Sequence, residues 1–342
     1  MHRFWVGLCA VALMGLASSV AAQSVRTEQI SVHSQALEGN LEGNSADRSV
    51  TVYLPPDYDT SGQKRYPVLY ALHGYSINND IWSKEIKTPQ TIDGAYSAGV
   101  KGMIIVLPNS QTVHNGSMYS SSATTGDWET FIAKDLVAYI DSHYRTLPRR
   151  ESRGLAGHSM GGYGTVRIAM KHPEVFSAMY AMSPCCMSAR GAPSPEEGLK
   201  LEALKTQAEA QSLGFFVRAT LAVASAWSPN PKKPPFYMDL PTKDGVAQPD
   251  VIARWAANAP NAMIHQYIPN MRKYKAIAFD VGDRDGLKTD TEALHTILSN
   301  YSVNNSFELY DGDHVSGVAD RFQNHVLPFF AKNLSFAPMG AK

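Results

Sequence analysis

The sequence predicts an α/β protein with a mostly parallel central sheet of about eight strands and helices on both faces. Short apolar runs alternate with amphipathic segments along most of the 342 residues. In addition, the glycine-rich stretch RGLAGHSMGGYG at residues 153–164 joins one apolar run to a segment of helical periodicity. Such alternation is typical of parallel sheets, because each parallel connection needs a crossover segment, usually a helix.

The strands can be assigned in order along the chain. Residues 28–34 and 49–54 are rich in strand-forming side chains, and the polar turn at residues 38–44 predicts that they pair as an antiparallel hairpin. Six later apolar runs are short, as buried central strands are. They are residues 68–72, 102–107, 154–157, 176–182, 276–281 and 307–310.

Four segments between or after these strands have helical patterns, at residues 127–144, 160–172, 290–301 and 319–332. Asp127 is the predicted N-cap of the first helix. Thr289, followed three residues later by Glu292, predicts a capping box at the start of the third helix. The fourth helix would close the domain.

About ninety residues separate the predicted strands at 176–182 and 276–281, far more than one crossover helix requires. We predict an inserted cap at residues 188–265, over the carboxyl ends of the strands, where ligands bind in open α/β sheets. Its aromatic side chains, among them Trp227 and Tyr237, would contact the substrate, with ordinary core packing as the alternative for each. A surface insertion without a binding role is the other interpretation.

The first residues have the pattern of an export signal. A short positive start precedes an apolar run at residues 4–16 and small residues at 20–22. We therefore predict a signal peptide at residues 1–22 and a mature domain at residues 23–338 that is secreted or periplasmic. The apolar run is too short for stable membrane insertion, which needs roughly 18 residues.

The charge balance argues against two classes of partner. Lysine and arginine together number 31, as do aspartate and glutamate, and neither sign is clustered. Nucleic acid and anionic membrane surfaces are therefore not predicted as partners, whereas a small, weakly charged molecule is. No metal or organic cofactor is predicted.

Three cysteines are too few for a disulfide framework. Cys9 would leave with the signal peptide, so that the neighbours Cys185 and Cys186 remain. Two packed thiols are the first interpretation of this pair, and a strained vicinal disulfide is the second. Metal binding by adjacent cysteines without a C-x-x-C motif is the least expected.

Gly157, Ser159 and Gly161 form a G-x-S-x-G motif between a predicted strand and a predicted helix. At such an elbow the serine backbone is strained into a sharp turn that exposes Oγ above the sheet, and the residues two before and two after must lack bulk. The motif therefore predicts that Ser159 is a nucleophile. A glycine-rich turn without chemistry is the alternative.

A nucleophilic serine needs a base, and the base needs a carboxylate to orient it. In sheet enzymes with this elbow, the acid and then the histidine follow the serine on loops after two late strands. His314, just past the last predicted strand, is therefore the predicted base. Other histidines that follow the serine are less suited, because they lie in predicted helices or in the insertion: His265, His295 and His325.

The loop after the predicted strand at 276–281 contains two candidate acids, Asp283 and Asp285. Their positions alone do not separate them, since both lie where the acid is expected. Asp283 can instead cap the turn or pair with Arg284.

Donors for a developing oxyanion are predicted after the strand at 68–72, where His73 and Gly74 follow. The backbone N–H groups of Tyr75 and Met160 would form this oxyanion hole. His73 precedes the serine in the chain, and we expect it to brace the loop rather than to carry a proton.

Four blocks of sequence are informative together: YPVLYALHG at 66–74 with Trp82 downstream, WETF at 128–131, GHSMGG at 157–162 and DGDH at 311–314. They resemble the α/β-hydrolase family that includes esterase D (S-formylglutathione hydrolase), feruloyl and acetylxylan esterases and enterochelin-type esterases, and the resemblance spans residues 45–335. It implies the α/β-hydrolase fold and the same oxyanion donors. Through a G-x-x-D pattern at residues 282–285, it also implies Asp285 as the acid. The long insertion and the adjacent cysteines depart from the family pattern, so the substrate's identity does not carry over.

The predicted function is that of an exported serine carboxylesterase. Ser159 would attack an ester or thioester carbonyl while His314, held by Asp285, transfers the proton. An acyl-enzyme would form and then react with water. An acyltransferase that uses the same intermediate is one alternative, and a noncatalytic binding protein that keeps the fold is another.

Overall fold

A computed structural model describes residues 24–338 of the chain, so the predicted signal peptide at residues 1–22 lies outside the described residues. Eight strands form the main sheet, as predicted, and each boundary lies within two residues of its prediction. In chain order they are β1 (Arg26–His33), β2 (Asp47–Leu54), β3 (Val68–Leu72), β4 (Ile104–Pro108), β5 (Arg153–His158), β6 (Ala178–Met182), β7 (Ala276–Gly282) and β8 (Ser306–Tyr310).

The strands lie in the order β1-β2-β4-β3-β5-β6-β7-β8. β1 pairs with β2, and β2 with β4, in antiparallel register, which confirms the predicted hairpin. All other neighbouring pairs are parallel, so the prediction of a mostly parallel sheet is confirmed. Parallel strands present their carboxyl ends at one edge, and the segments after β3, β5, β7 and β8 therefore lie together there.

Helices connect the strands, and within residues 24–338 none has the length and apolar character that a membrane span requires. The helices are α1 (Asn79–Glu85), α2 (Thr88–Ser97), α3 (Trp128–Thr130, Phe131–Asp135 and Leu136–His143 in succession), α4 (Met160–Lys171), α5 (Pro195–Glu202), α6 (Gln207–Ala210), α7 (Phe215–Trp227), α8 (Pro249–Ala256), α9 (Pro260–Met271), α10 (Lys288–Asn300) and α11 (Val318–Arg321, Phe322–Val326 and Leu327–Asn333 in succession). Short 3-10 turns lie at Gln35–Leu37 and Arg150–Ser152.

The pleat of β3 separates two hydrophobic cores. Leu69 and Ala71 share one core with α1, α2 and α11, whereas Val68, Tyr70 and Leu72 share the other with α3, α4, α9 and α10. Successive strand side chains point to opposite faces, so all of β3 is buried. A strand that is apolar at every position indicates a sheet covered on both faces, which is what the structure has.

Asp127 is the N-cap of α3, as predicted. Its carboxylate accepts a hydrogen bond from the Thr130 backbone N–H at 3.1 Å, which satisfies one of the free donors of the first turn. The middle piece of α3, Phe131–Asp135, is π-helical, a local widening that the three- and four-residue apolar pattern did not indicate.

The predicted capping box at Thr289 and Glu292 is wrong. α10 begins one residue before Thr289, with Leu287 as its N-cap and no side-chain cap. Asp285 Oδ1 accepts a hydrogen bond from the Leu287 N–H at 2.9 Å, and this contact turns the chain into the helix earlier than predicted. The Asp285 carboxylate therefore has two contacts: one sets the start of α10, and the other is made to His314 at the carboxyl edge of the sheet.

The chain between β6 and β7 forms α5 to α9, and the first three of these helices, α5 to α7, lie within residues 195–227 of the predicted cap. α9 packs on α4, where Asn270 Nδ2 donates to the Met170 carbonyl oxygen at 2.8 Å. Residues 260–265, the end of the predicted cap, thus belong to the helical layer over the sheet. That residues 188–265 act as a cap stays a prediction.

Candidate active site

Ser159 lies in the sharp turn between β5 and α4. Its backbone has φ +58° and ψ −117°, which is strained for a residue with a Cβ atom. A Cβ atom on Gly157 would lie 2.2 Å from the Gly161 carbonyl oxygen, and one on Gly161 would lie 2.0 Å from that of Leu72. Only glycine fits at either position, which is the physical reason for the motif.

Three side chains form a hydrogen-bonded chain at the carboxyl edge of the sheet. His314 Nε2 lies 2.9 Å from Ser159 Oγ, and His314 Nδ1 lies 2.8 Å from Asp285 Oδ2. A neutral His314 that carries its proton on Nδ1 donates to Asp285 and accepts from the Ser159 hydroxyl. The structure therefore brings together the three side chains that the sequence nominates, and their catalytic roles stay predictions.

Asp285 is a buried carboxylate, with a side chain that is 2% exposed. Burial favours the neutral acid, but hydrogen bonds from His314 and from the Leu287 N–H outweigh it and hold the pKa of the carboxyl below its usual value. A negative charge therefore faces the imidazole and stabilises its protonated form.

Asp283, the alternative acid, has other partners. Its Oδ1 accepts a hydrogen bond from the Gly312 N–H at 3.0 Å, and Arg284 forms an ion pair with it at 3.1 Å. These contacts join the loops after β7 and β8. The contact with the imidazole of His314 is made by Asp285.

The other candidate histidines do not line the space around Ser159. Each contacts a polar neighbour through a ring nitrogen, as structural or surface histidines do. His265 contacts Tyr301, His295 contacts Asn305 and His325 contacts Glu308.

The loop after β3 lies against the serine, because a Cβ atom on Gly74 would be 3.5 Å from Ser159 Cβ. The side chains of Tyr75 and Met160 meet over Gly116, where an added Cβ atom would lie 2.7 Å from each. Among the hydrogen bonds of residues 24–338, none comes from the backbone N–H of Tyr75 or Met160. Both groups are available for the predicted oxyanion hole.

His73 has the contacts of a bracing residue. It is fully buried, its Nδ1 donates to the Gly74 carbonyl oxygen at 2.8 Å, and its Nε2 accepts from the Ser110 N–H at 2.8 Å. Burial lowers the pKa of His73 to about 4, so the ring is neutral and both nitrogens are occupied. His73 thus holds the loop that carries Tyr75.

A cleft of about 530 Å³ opens at Ser159 and His314. Phe215, at the start of α7, forms one wall and packs edge-on against Tyr75, with ring centroids 5.2 Å apart. Sequence reasoning missed Phe215. The available signal was a pair of aromatic residues, Phe215 and Phe216, at a helix start, where one periodic apolar face can bury only one of them.

The predicted substrate contacts Trp227 and Tyr237 do not line this cleft, although Trp227 lines the neighbouring cavity, and their contact with a substrate stays a prediction. Trp227 is a packing residue: it is 8% exposed, and its indole N–H donates to Ser120 Oγ at 3.0 Å. Tyr237 lies in the proline-rich loop, where its carbonyl oxygen accepts a hydrogen bond from Thr124. Both contacts join the insertion to residues 120–124.

An eight-stranded, mostly parallel sheet with a serine elbow after β5, a carboxylate after β7 and a histidine after β8 defines the α/β-hydrolase fold. Residues 44–334 match the esterase family described as "Putative esterase". Because the match covers most of the chain, the chain belongs to this family.

Relatives and solved structures agree with this membership. Esterase Rv1288 from Mycobacterium tuberculosis is 36% identical over 132 residues, which are 38% of this chain and 27% of that protein. An endo-1,4-beta-xylanase/feruloyl esterase from Xylanibacter ruminicola is 31% identical over 141 residues, 40% of this chain and 19% of that protein. The chain thus spans less than a third of either relative. A solved ferulic acid esterase matches with a TM-score of 0.64 at 22% identity, covering 91% of this chain and 100% of that one, which shows the shared fold.

Proposed function

We propose that the protein is a serine carboxylesterase that hydrolyses a carboxylic ester or thioester through an acyl-enzyme. The observation that carries the proposal is the hydrogen-bonded chain from Ser159 Oγ through His314 to Asp285. Membership of the esterase family, and relatives named esterase and feruloyl esterase, support the same chemistry.

In the first step, His314 Nε2 accepts the hydroxyl proton of Ser159 while Oγ attacks the ester carbonyl carbon. Asp285 keeps the imidazole oriented and stabilises the imidazolium that forms. The negative charge on the former carbonyl oxygen is stabilised by the backbone N–H groups of Tyr75 and Met160. The imidazolium then protonates the leaving alcohol or thiol, and the acyl group stays on Ser159.

In the second step, water takes the place of the leaving group. It gives a proton to His314 and attacks the acyl carbon, and the same N–H groups stabilise the second oxyanion. The imidazolium returns the proton to Ser159 Oγ as the carboxylic acid leaves. Neither step requires a metal or an organic cofactor.

The substrate side of the proposal is a small-molecule ester whose acyl or aryl group packs on the Phe215 and Tyr75 rings. Residues 188–265, which include α7, would act as a cap that narrows access to the cleft. Export to the periplasm or the medium is proposed from the signal-peptide pattern of residues 1–22.

Hydrolysis of p-nitrophenyl acetate and butyrate, together with labelling by a fluorophosphonate, tests the proposal. We expect both in the wild-type protein and neither in Ser159→Ala, because alanine offers no nucleophile. Ser142→Ala, at an exposed position of α3, is the matched control and should retain both. A folded wild-type protein that neither cleaves these esters nor reacts with the probe would be a noncatalytic binding protein.

Product analysis separates hydrolysis from acyl transfer, since both use one acyl-enzyme. With glycerol or a sugar added in excess, a hydrolase still yields the free acid. An acyltransferase yields a new ester at the expense of the acid, and that result would replace the proposed function.

A further inference from the structure

Cys185 and Cys186 lie in the turn after β6, just before the inserted segment at residues 188–265. Both are partly buried, and their sulfur atoms are 2.8 Å apart. Adjacent side chains in extended or helical backbone point in different directions. Here the φ angle of Cys186 is +60°, and this left-handed turn brings the two sulfurs to one side at a cost in backbone strain.

The turn supports the serine elbow directly. The Cys185 N–H donates to the Ser159 carbonyl oxygen at 3.0 Å, and the Ser183 N–H donates to the Asp280 carbonyl oxygen at 2.8 Å. The turn therefore links the elbow to β7, the strand that precedes Asp285. A change in its conformation reaches Ser159 through one hydrogen bond.

The pair is accessible, and its two thiols differ. Cys186 lines a cavity of about 260 Å³ between residues 188–193 and α7. The hydrogen bond from the Cys185 thiol, together with the nearby Arg190, lowers the pKa of Cys186, whereas the same bond and burial raise the pKa of Cys185. Because Cys186 is the member of the pair that lines this cavity, it is the thiol that an external disulfide reaches first.

We propose that Cys185 and Cys186 are a modification site, at which a vicinal disulfide forms and locks the turn beneath Ser159. The oxidant is a disulfide, either of a small thiol compound or of a protein dithiol oxidase. The Cys186 thiolate attacks it and releases one thiolate, and the Cys185 thiol then loses its proton and attacks the mixed disulfide to release the second. The two thiols give up two electrons and two protons, and the oxidant becomes two thiols. This site rests on the proposed export to an oxidising compartment and not on ester hydrolysis.

Peptide mass spectrometry tests the disulfide without any substrate. The full chain is equilibrated in a glutathione buffer with the redox poise of a secretory compartment, denatured, alkylated without reduction and digested. Trypsin releases residues 172–190, which contain both cysteines and no other. We expect this peptide unalkylated and two hydrogens lighter than its reduced form. Two alkylated cysteines, or a bond to glutathione or to another chain, would overturn the proposal.

Kinetics and unfolding test the locking role. Reduction by dithiothreitol should lower kcat for p-nitrophenyl acetate severalfold and lower the thermal unfolding midpoint, and reoxidation should restore both. The double variant Cys185→Ser, Cys186→Ser should match the reduced protein and not respond to dithiothreitol. A disulfide whose reduction changes neither quantity would overturn the locking role. An inactive protein that still forms the disulfide would contradict the esterase proposal alone.

Discussion

His158 donates a hydrogen bond from Nε2 to the backbone carbonyl oxygen of His314 at 2.8 Å, so the residue before the proposed nucleophile holds the loop of the proposed base. The two rings are 4.8 Å apart. Burial, and after it the proximity of His314, lowers the pKa of His158 to about 4. His158 is therefore neutral when His314 becomes protonated, and it fixes the base without adding a competing positive charge.

Replacing His158 with phenylalanine should lower kcat about tenfold to a hundredfold with little change in KM. The reason is the loss of one buried hydrogen bond, worth ~1–3 kcal/mol, which positions His314 in the transition state. Steady-state kinetics and the rate of fluorophosphonate labelling measure the effect, and both should fall together.

His158→Gln, which retains a donor, should recover part of this loss, and His265→Phe, at a surface histidine, should have no effect. If His158→Phe changed only the unfolding midpoint and left kcat intact, the residue would be a packing residue with no role in positioning the base.

Asp285→Asn should reduce kcat by about 10⁴-fold, because an amide favours the wrong imidazole tautomer and cannot stabilise the imidazolium. Asp283→Asn is the matched comparison two residues away. It should keep most of kcat and lose stability, since Asp283 accepts the Gly312 N–H and pairs with Arg284. Hydrolysis kinetics and thermal unfolding of both variants would check this, and the reverse order of kcat values would assign the acid to Asp283.

Phe215→Ala should raise KM for p-nitrophenyl esters of aromatic acids more than for p-nitrophenyl acetate, because the variant removes the aromatic wall that packs on Tyr75. Phe216→Ala serves as the control, since Phe216 is 78% exposed and lines the neighbouring cavity instead. A comparison of kcat/KM across an ester series measures the effect. Equal losses for every ester in both variants would mean that Phe215 does not select the substrate.

A buried carboxyl makes stability depend on pH. Burial raises the pKa of Glu42 from its usual 4.5 to about 7, against a hydrogen bond from Asn44, while His114 lies 3.6 Å away and burial lowers its pKa to about 4. A carboxyl whose pKa is raised on folding contributes stability that is complete below its unfolded pKa and is lost as pH rises through its folded pKa.

The wild-type free energy of unfolding should therefore fall by up to ~3 kcal/mol between about pH 5 and about pH 8 on account of Glu42. Glu42→Gln should remove this decline, because the amide does not ionise. Urea denaturation at each pH gives the measurement, and Glu151→Gln, at an exposed position, is the control. Parallel pH curves for wild-type and Glu42→Gln would contradict the argument.

The local apolar pattern was sufficient to predict the central strands, which are covered on both faces of the sheet. Val68–Leu72 is apolar throughout and is a strand with unchanged boundaries, because a short run that is apolar at every position is typical of a strand covered on both faces. The start of α10 was mispredicted because Thr289 fits the sequence pattern of a capping box. In the structure the turn into the helix is set instead by the hydrogen bond from the Leu287 N–H to Asp285. Capping rules consider neighbouring residues alone and do not include the contact of Asp285 with His314, 29 residues later in the chain.

The proposed catalytic set could be predicted because strained turns and chain order restrict where such residues lie, as for Ser159 and His314. The aromatic wall of the cleft, formed by Phe215, could not be predicted from the sequence. Trp227 and Phe215 belong to one helix, and which of them reaches the cleft depends on how α7 is placed over the sheet. His158 gave no signal of its own, because its role is a contact with a backbone carbonyl 156 positions later in the chain.

The pairing of β6 directly with β7, with Ala178 opposite Ala276, has an evolutionary consequence. The segment α5 to α8 leaves the sheet after β6, and the chain returns to the adjacent strand through α9, which packs on α4. The length of α5 to α8 therefore does not enter the spacing between the proposed nucleophile and its base. Insertions or deletions within α5 to α8 therefore alter what the cleft recognises without moving the strands that carry Ser159, Asp285 and His314.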